Sequence, residues 1–227
     1  MNIKRTVIIL CFLYPFSHSS ILLSRNGNPD NWCRSGHFPA EINSEKTGII
    51  KIQKLNEKRS YFYSDDDSCP DKTARCRKKS YLIEGDEILI SHEYKNFICA
   101  WYTSNKGRHS EGWLLKSHVK FKKTSVPDIN DWIGTWVYYK NEIIIKKSEN
   151  NKLHTTGNAV WQTEYTVHVG EFDITETPVK NTVTNSIQDE YDCAVRMHLI
   201  GKRLVVSDNK NCGGMNVSFD GVYIRKK

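Results

Sequence analysis

The chain carries none of the short motifs that mark the common catalytic machines. Gly-x-Ser-x-Gly, His-Glu-x-x-His and a glycine-rich phosphate-binding loop are all missing, which removes the nucleophile elbow, the zincin helix and the P-loop. The histidines, among them His92, His109, His118, His154, His168 and His198, share no spacing. Glu142, Glu164, Glu171 and Asp173 could serve glycoside hydrolysis only as a pair at a set separation, which a sequence does not carry. No stretch has the length and period of a good amphipathic helix. Nucleic acid lacks a reader as well, because no basic helix or base-stacking motif accompanies the positive charge. These absences predict a protein that is not an enzyme and does not bind nucleic acid.

Metal ligands are equally scarce. Asp65-Asp66-Asp67, followed by Asp71, is the one carboxylate cluster worth testing, and an EF-hand needs Gly at the sixth position and Glu at the twelfth. Those positions hold Pro70 and Cys76, so the cluster reads as an acidic turn beside Arg75, Arg77, Lys78 and Lys79. Cys69 and Cys76 are separated by six residues instead of the two to four of a zinc knuckle, and no paired histidine follows. Neither a metal nor a cofactor is expected.

What is present points to export. Lys4 and Arg5, an apolar run from Val7 to Phe16, and the small residues of Ser17-His18-Ser19-Ser20 have the order of a secretory signal peptide over residues 1–19. The apolar run is about half the roughly 20 residues that span a bilayer, so a cleaved leader is favoured over an anchor. Cys11 does not make a lipoprotein signal, because bulky Leu10 stands where a small residue belongs. The expected mature protein is soluble and periplasmic or secreted, without stable membrane insertion.

Removing residues 1–19 takes away two of the 33 basic residues and none of the 26 acidic ones, leaving a charge of 31 minus 26, or +5. The excess is not shared evenly: residues 20–122 hold 18 Lys and Arg against 13 Asp and Glu, and residues 131–227 hold 12 against 12. A basic half outside the cytoplasm would be steered toward anionic cell-wall polymer, membrane headgroups or an acidic protein, unless the charges simply solvate the surface. Six cysteines also remain, an even number that suits disulfides in an oxidising compartment. Cys193 and Cys212 pair naturally if the halves fold separately, and Cys33, Cys69, Cys76 and Cys99 allow three connectivities.

The chain divides into an irregular arm (20–46), a strand-rich module (47–122), a linker (123–130) and a second strand-rich module (131–227). Short runs of β-branched and aromatic residues between polar turns favour all-β structure. In the first module Tyr61-Phe62-Tyr63-Ser64, Tyr81-Leu82-Ile83-Glu84-Gly85-Asp86-Glu87-Ile88, Asn96-Phe97-Ile98-Cys99-Ala100-Trp101-Tyr102 and Gly112-Trp113-Leu114-Leu115 occur in an order that resembles a bacterial SH3-like barrel. That resemblance implies a peptidoglycan- or peptide-binding aromatic groove on Tyr63, Trp101 and Trp113, the alternative being that these residues fill a small core. The loop from Ser64 to Lys79, with its two cysteines, is longer than such a barrel needs and reads as a recognition feature or an insertion.

The second module opens on Trp132-Ile133-Gly134-Thr135-Trp136 and continues through about eight strands, which suggests an up-and-down barrel or rolled meander. Gly134-x-Trp136 and the closing Phe219-Asp220-Gly221-Val222-Tyr223 resemble lipocalin-like and small lysozyme-inhibitor-like barrels. A module this short has no room for a large ligand cavity. Two loops stand out as contact sites: residues 176–192, and residues 208–216 with Asn209, Asn211 and Met215 beside Cys212. The leading expectation is an exported protein that binds and inhibits another protein, a cell-wall-degrading enzyme or toxin, as inhibitor and immunity proteins do. The alternatives are a peptidoglycan-binding SH3-like module with a structural second barrel, and a carrier of small apolar ligands.

Overall fold

Strand β5 (Phe97–Thr103) has no polar face. Every residue in it except Tyr102 is buried, whereas a strand covered on one side alternates. Ile98 and Ala100 join Ile50, Phe62, Leu82, Ile88, Ile90, Leu114 and Val119 in one apolar cluster. Phe97, Cys99 and Trp101 point the other way into a second cluster. The structure, a computed structural model, is all-β and describes residues 29–52, 58–66, 68–104, 107–185 and 192–226. The expected signal peptide, its cleavage point, Cys11 and residues 20–28 of the arm lie outside the described residues.

The first sheet is antiparallel, in the order β3-β2-β6-β5-β4-β1-β7. It is built from β1 (Lys46–Ile50), β2 (Ser60–Tyr63), β3 (Arg77–Leu82), β4 (Glu87–Tyr94), β5, β6 (His109–Leu115) and β7 (Val119–Lys123). The Gly85-Asp86 turn joins β3 to β4: Gly85 takes φ +93°, which a side chain would resist, and the Asp86 carboxylate accepts the Ile83 N–H at 2.9 Å.

The expected linker is shorter than its sequence suggests. Lys123 still pairs with Lys46 across β7 and β1, and α1 (Ile129–Trp132) has already begun by residue 129. Asp128 and Asp131 form a reciprocal capping box, the arrangement that satisfies two orphan N–H groups at once. This single turn replaces the strand expected at Trp132 and drops that side chain into the second module, where it is fully buried.

The second sheet contains β8 (Gly134–Tyr138), β9 (Asn141–Lys147), β10 (Leu153–Gln162), β11 (Val167–Glu176), β12 (Thr182–Thr184), β13 (Val195–Ile200), β14 (Arg203–Asp208) and β15 (Gly221–Arg225). Its order, β11-β10-β9-β8-β15-β14-β13-β12, places consecutive strands side by side except β11 and β12, and sets the last strand against the first. The result is a nearly closed antiparallel barrel, with its ends at β11 and β12. Trp132, Trp136, Phe172, Phe219 and Tyr223 fill its interior along with Ile143, Leu153, Met197 and Leu204. The runs at residues 151–155 and 158–161, which read as separate strands in the sequence, are one: β10 runs through Gly157, whose missing side chain makes room for the Phe172 ring on β11.

The two sheets meet at the outward face of β5. Ile200, Val205 and Val222, on β13, β14 and β15, belong to the same cluster as Leu89 and Trp101. Each is at most 2% exposed, and burying a side chain of this size contributes about 1.5 to 3 kcal/mol. The halves therefore share a core. The arm completes the cover: Phe38 packs on Trp101 with ring centres 5.6 Å apart, and the Asn31 carbonyl accepts the Trp113 indole N–H at 2.6 Å. Asp65 anchors it by accepting the Cys33 N–H and the Arg34 guanidinium.

Three disulfides close the structure: Cys33–Cys99, Cys69–Cys76 and Cys193–Cys212. The last is the pair expected from the sequence, and the first two select one of the three connectivities left open. Among the described residues no helix is long and apolar enough to cross a membrane.

Two measurements test this architecture. Val205→Asp sets a carboxylate into the shared core, so it should cost about 3 kcal/mol or more and split a single cooperative thermal transition into two. His198 on β13 contacts the Thr182 hydroxyl on β12 at 2.9 Å, and burial, with Arg196 adding to it, pushes its pKa down to about 4. The unfolded chain takes up this proton near pH 6.5, so stability is full above that pH and falls as pH drops toward 4. After allowance for partial solvent screening the loss attributable to His198 is about 2 kcal/mol, and His198→Gln should flatten that part of the pH profile in chemical denaturation.

Candidate functional site

The three aromatic residues expected to line an open groove lie inside the molecule. Trp113 is fully buried, Trp101 is 2% exposed and Tyr63 is 8% exposed. Trp113 packs against His92 and Tyr94, and Tyr63 meets Phe97 edge-on. Trp101 sits between Phe38 and Tyr138 and donates its indole N–H to the Thr103 hydroxyl at 3.2 Å. The arm and the second barrel cover the face that an aromatic groove needs, which corrects the groove assignment. The loop at 64–79 is likewise turned to structural use, with Asp65 holding the arm and Cys69 bonded to Cys76.

Of the two loops expected to make contacts in the second module, residues 186–191 of the first lie outside the described residues, and the second, residues 208–216, has a defined shape. Asn209 acts as a bracket: its amide donates to the Asp192 carbonyl and accepts from the Ala194 and Asn211 N–H groups. Asn211 sits in this same turn, beside the Cys193–Cys212 bond. Lys210 reaches Asp208 and Asp220, and the Asp208 carboxylate accepts the Phe219 N–H. Burial raises the Asp220 pKa, and the Lys210 ammonium partly offsets the rise.

That loop fills the gap beyond β11. Gly213 bridges Gly170, and the Gly214 N–H donates to the Val169 carbonyl at 3.1 Å. A Cβ on Gly170 would lie 2.3 Å from the Cys212 oxygen, and one on Gly213 would lie 2.5 Å from the Gly170 Cα. The approach is thus open only to glycine.

Next to this contact the surface is apolar. Met215 is 75% exposed, and Tyr165, Val167 and Val169 on the neighbouring β10–β11 hairpin are 88, 56 and 57% exposed. His168 ties the two parts together, with its ring on Trp161 and Nδ1 against the Met215 carbonyl. Of the residues singled out from the sequence for partner contact, Met215 alone is presented here as an exposed apolar group. The hairpin valines were not singled out, although Val167-His168-Val169 on a terminal strand carries the alternation of an outward apolar row.

A second concavity of about 380 Å³ opens along the seam between the sheets. Its floor is Leu89, Trp101 and Ile200, and around it lie Lys122, Lys123, Lys202, Arg203 and Glu87. The cations come from β7 and from the Gly201-Lys202 hairpin, about 80 residues apart in the chain, so no local motif announces them. At another point on the seam Tyr139, 83% exposed at φ +51°, meets Tyr138 and His109 edge-on. Burial lowers the His109 pKa.

No protein-family model matches the chain, and neither the curated proteins nor the solved structures contain a match to it. The SH3-like and lipocalin-like resemblances stand on the quoted motifs alone.

Gly213→Val should separate the loop from β11. The expected cost is about 1 to 3 kcal/mol, with faster amide hydrogen exchange across residues 209–217. Gly36→Ala, where a Cβ meets nothing within 4 Å, is the neutral control.

Proposed function

We propose that the chain is an exported binding protein that docks on another protein and neutralises it, the partner being a cell-wall-degrading enzyme or a toxin. The observation that carries this reading is the apolar rim of Tyr165, Val167, Val169 and Met215, which stands exposed on a disulfide-braced body. Rigid apolar side chains that are ordered before binding contribute most to a protein interface, because little entropy remains to be lost. The three disulfides suit an oxidising compartment and agree with export.

The competing readings draw less support. A peptidoglycan-binding groove in the first module loses Tyr63 and Trp113 to the interior. A carrier of small apolar ligands would need the barrel space that Trp136, Phe172, Phe219 and Tyr223 occupy.

Val169→Glu combined with Met215→Glu tests the proposal, with native circular dichroism as a condition. Wild-type protein is expected to inhibit a member of a panel of muramidases, amidases and exported toxins, and the double variant to weaken that inhibition by roughly 30-fold or more. Retention of the wild-type protein on insoluble peptidoglycan without inhibition of any panel member would favour the wall-binding reading instead.

A further inference from the structure

The seam cleft is a second site, remote in chemistry from the apolar rim. We infer that it binds an amphipathic oxyanion, a phosphate or carboxylate head carried on a planar or aliphatic body.

The inference starts from the charges. Lys122, Lys202 and Arg203 line one concavity with Lys123 at its edge, and none of them has an acidic oxygen within 4 Å among the described residues. Four other cations have an acidic partner, Arg34 with Asp65, Lys116 with Glu93, Lys210 with Asp208 and Asp220, and Lys226 with Glu142, so it is the gathering of unpaired cations in one concavity, more than the lack of pairs, that sets the cleft apart. Glu87 is the single acid on the cleft wall. Three lining cations, with Lys123 at the edge, against one carboxylate leave a site that attracts negative charge, and the attraction is stronger at a partly enclosed surface than in open solvent.

Arg203 is held ready for such a ligand. It follows the tight Gly201-Lys202 turn at the start of β14, and its guanidinium donates to the Thr103 carbonyl across the seam and to the Lys202 carbonyl, both at 3.4 Å. Two N–H groups are thus committed to backbone, and the rest of the planar fork is free for an oxyanion. Burial lowers the Arg203 pKa, and the nearby Tyr102 and Glu87 oppose that shift.

The floor defines the rest of the ligand. Leu89, Trp101 and Ile200 are all at most 7% exposed, so their contribution is a packed apolar base. Thr47, Thr103, Thr124 and Ser125 complete the lining. A volume of about 380 Å³ is in the range of pockets that take small organic molecules. Both halves of the chain contribute, so the site exists only when the sheets are docked.

Four probes separate the head from the body: phenyl phosphate, phenylacetate, inorganic phosphate and phenol, each titrated into the full mature chain with its disulfides intact. Amide shifts in two-dimensional NMR report both position and affinity. Phenyl phosphate or phenylacetate should saturate at millimolar concentration or below, shifting residues 122–125 and 201–203. The stronger of the two identifies the head group, inorganic phosphate should bind more weakly, and phenol weakest. Arg203→Gln should weaken the better aryl anion by about ten-fold, the worth of a charge-assisted hydrogen bond. Because Arg203 also bridges the seam, exposed Lys202→Gln serves as a second variant, and Lys120→Gln, outside the cleft, as the control. Shifts confined to other surfaces, phenol binding as well as the anions, inorganic phosphate binding as well as phenyl phosphate, or an unchanged affinity in both cleft variants would each overturn the assignment. None of these results bears on the rim of the second barrel, so this inference stands or falls apart from the proposed function.

Discussion

Strand β5 presents apolar side chains on both faces, and a sheet in that condition must be covered twice. One face is closed by the first module itself, through Ile98 and Ala100. The other, through Phe97, Cys99 and Trp101, needs material from outside the sheet and receives it from the arm and from β13, β14 and β15. Those three strands meet the same requirement from their own side: Leu204, Val206 and Tyr223 turn into the barrel, while Val205, Val222 and Ile200 turn out toward Trp101. Mutual burial of two unbroken apolar runs is thus what makes one body of two sheets.

Several local features make sense as consequences of that burial. The Cys33–Cys99 bond fastens the arm to the middle of β5, where the uncovered face would otherwise be largest. Docking also brings the Gly201-Lys202 hairpin over β4 and the end of β7, which creates the basic cleft as a by-product of packing. On the far side of the second barrel the constraint is different. There the gap beyond β11 is filled by a loop whose approach depends on Gly170 and Gly213, and the residues left outside that contact form the apolar rim.

Much of this was legible in the sequence. β-branched and aromatic runs marked most of the strands, Gly85-Asp86 marked its hairpin, and counting cysteines by module marked the Cys193–Cys212 pair. β12 was not legible, because Thr182-Val183-Thr184 is too short to show a period and becomes a strand only by pairing with β13. The continuity of Leu153–Gln162 through Gly157 was not legible either, because the purpose of that glycine, to receive the Phe172 ring, lies on another strand. The aromatic groove failed for a related reason. Tyr63, Trp101 and Trp113 have the residue types of a binding surface and of a core alike, and only their surroundings distinguish the two.

The sequence by itself determined the all-β character and the meander order of the second module, because period-two alternation and turn chemistry act over a few residues. It also contained, in Phe97-Ile98-Cys99-Ala100-Trp101 and Leu204-Val205-Val206, the requirement for two-sided cover. What satisfies that requirement was decided by tertiary structure alone. The arm against Trp113, the barrel against Trp101 and the clustering of Lys122, Lys123, Lys202 and Arg203 join residues tens of positions apart, and shape complementarity between folded surfaces selects among such contacts where local preference cannot.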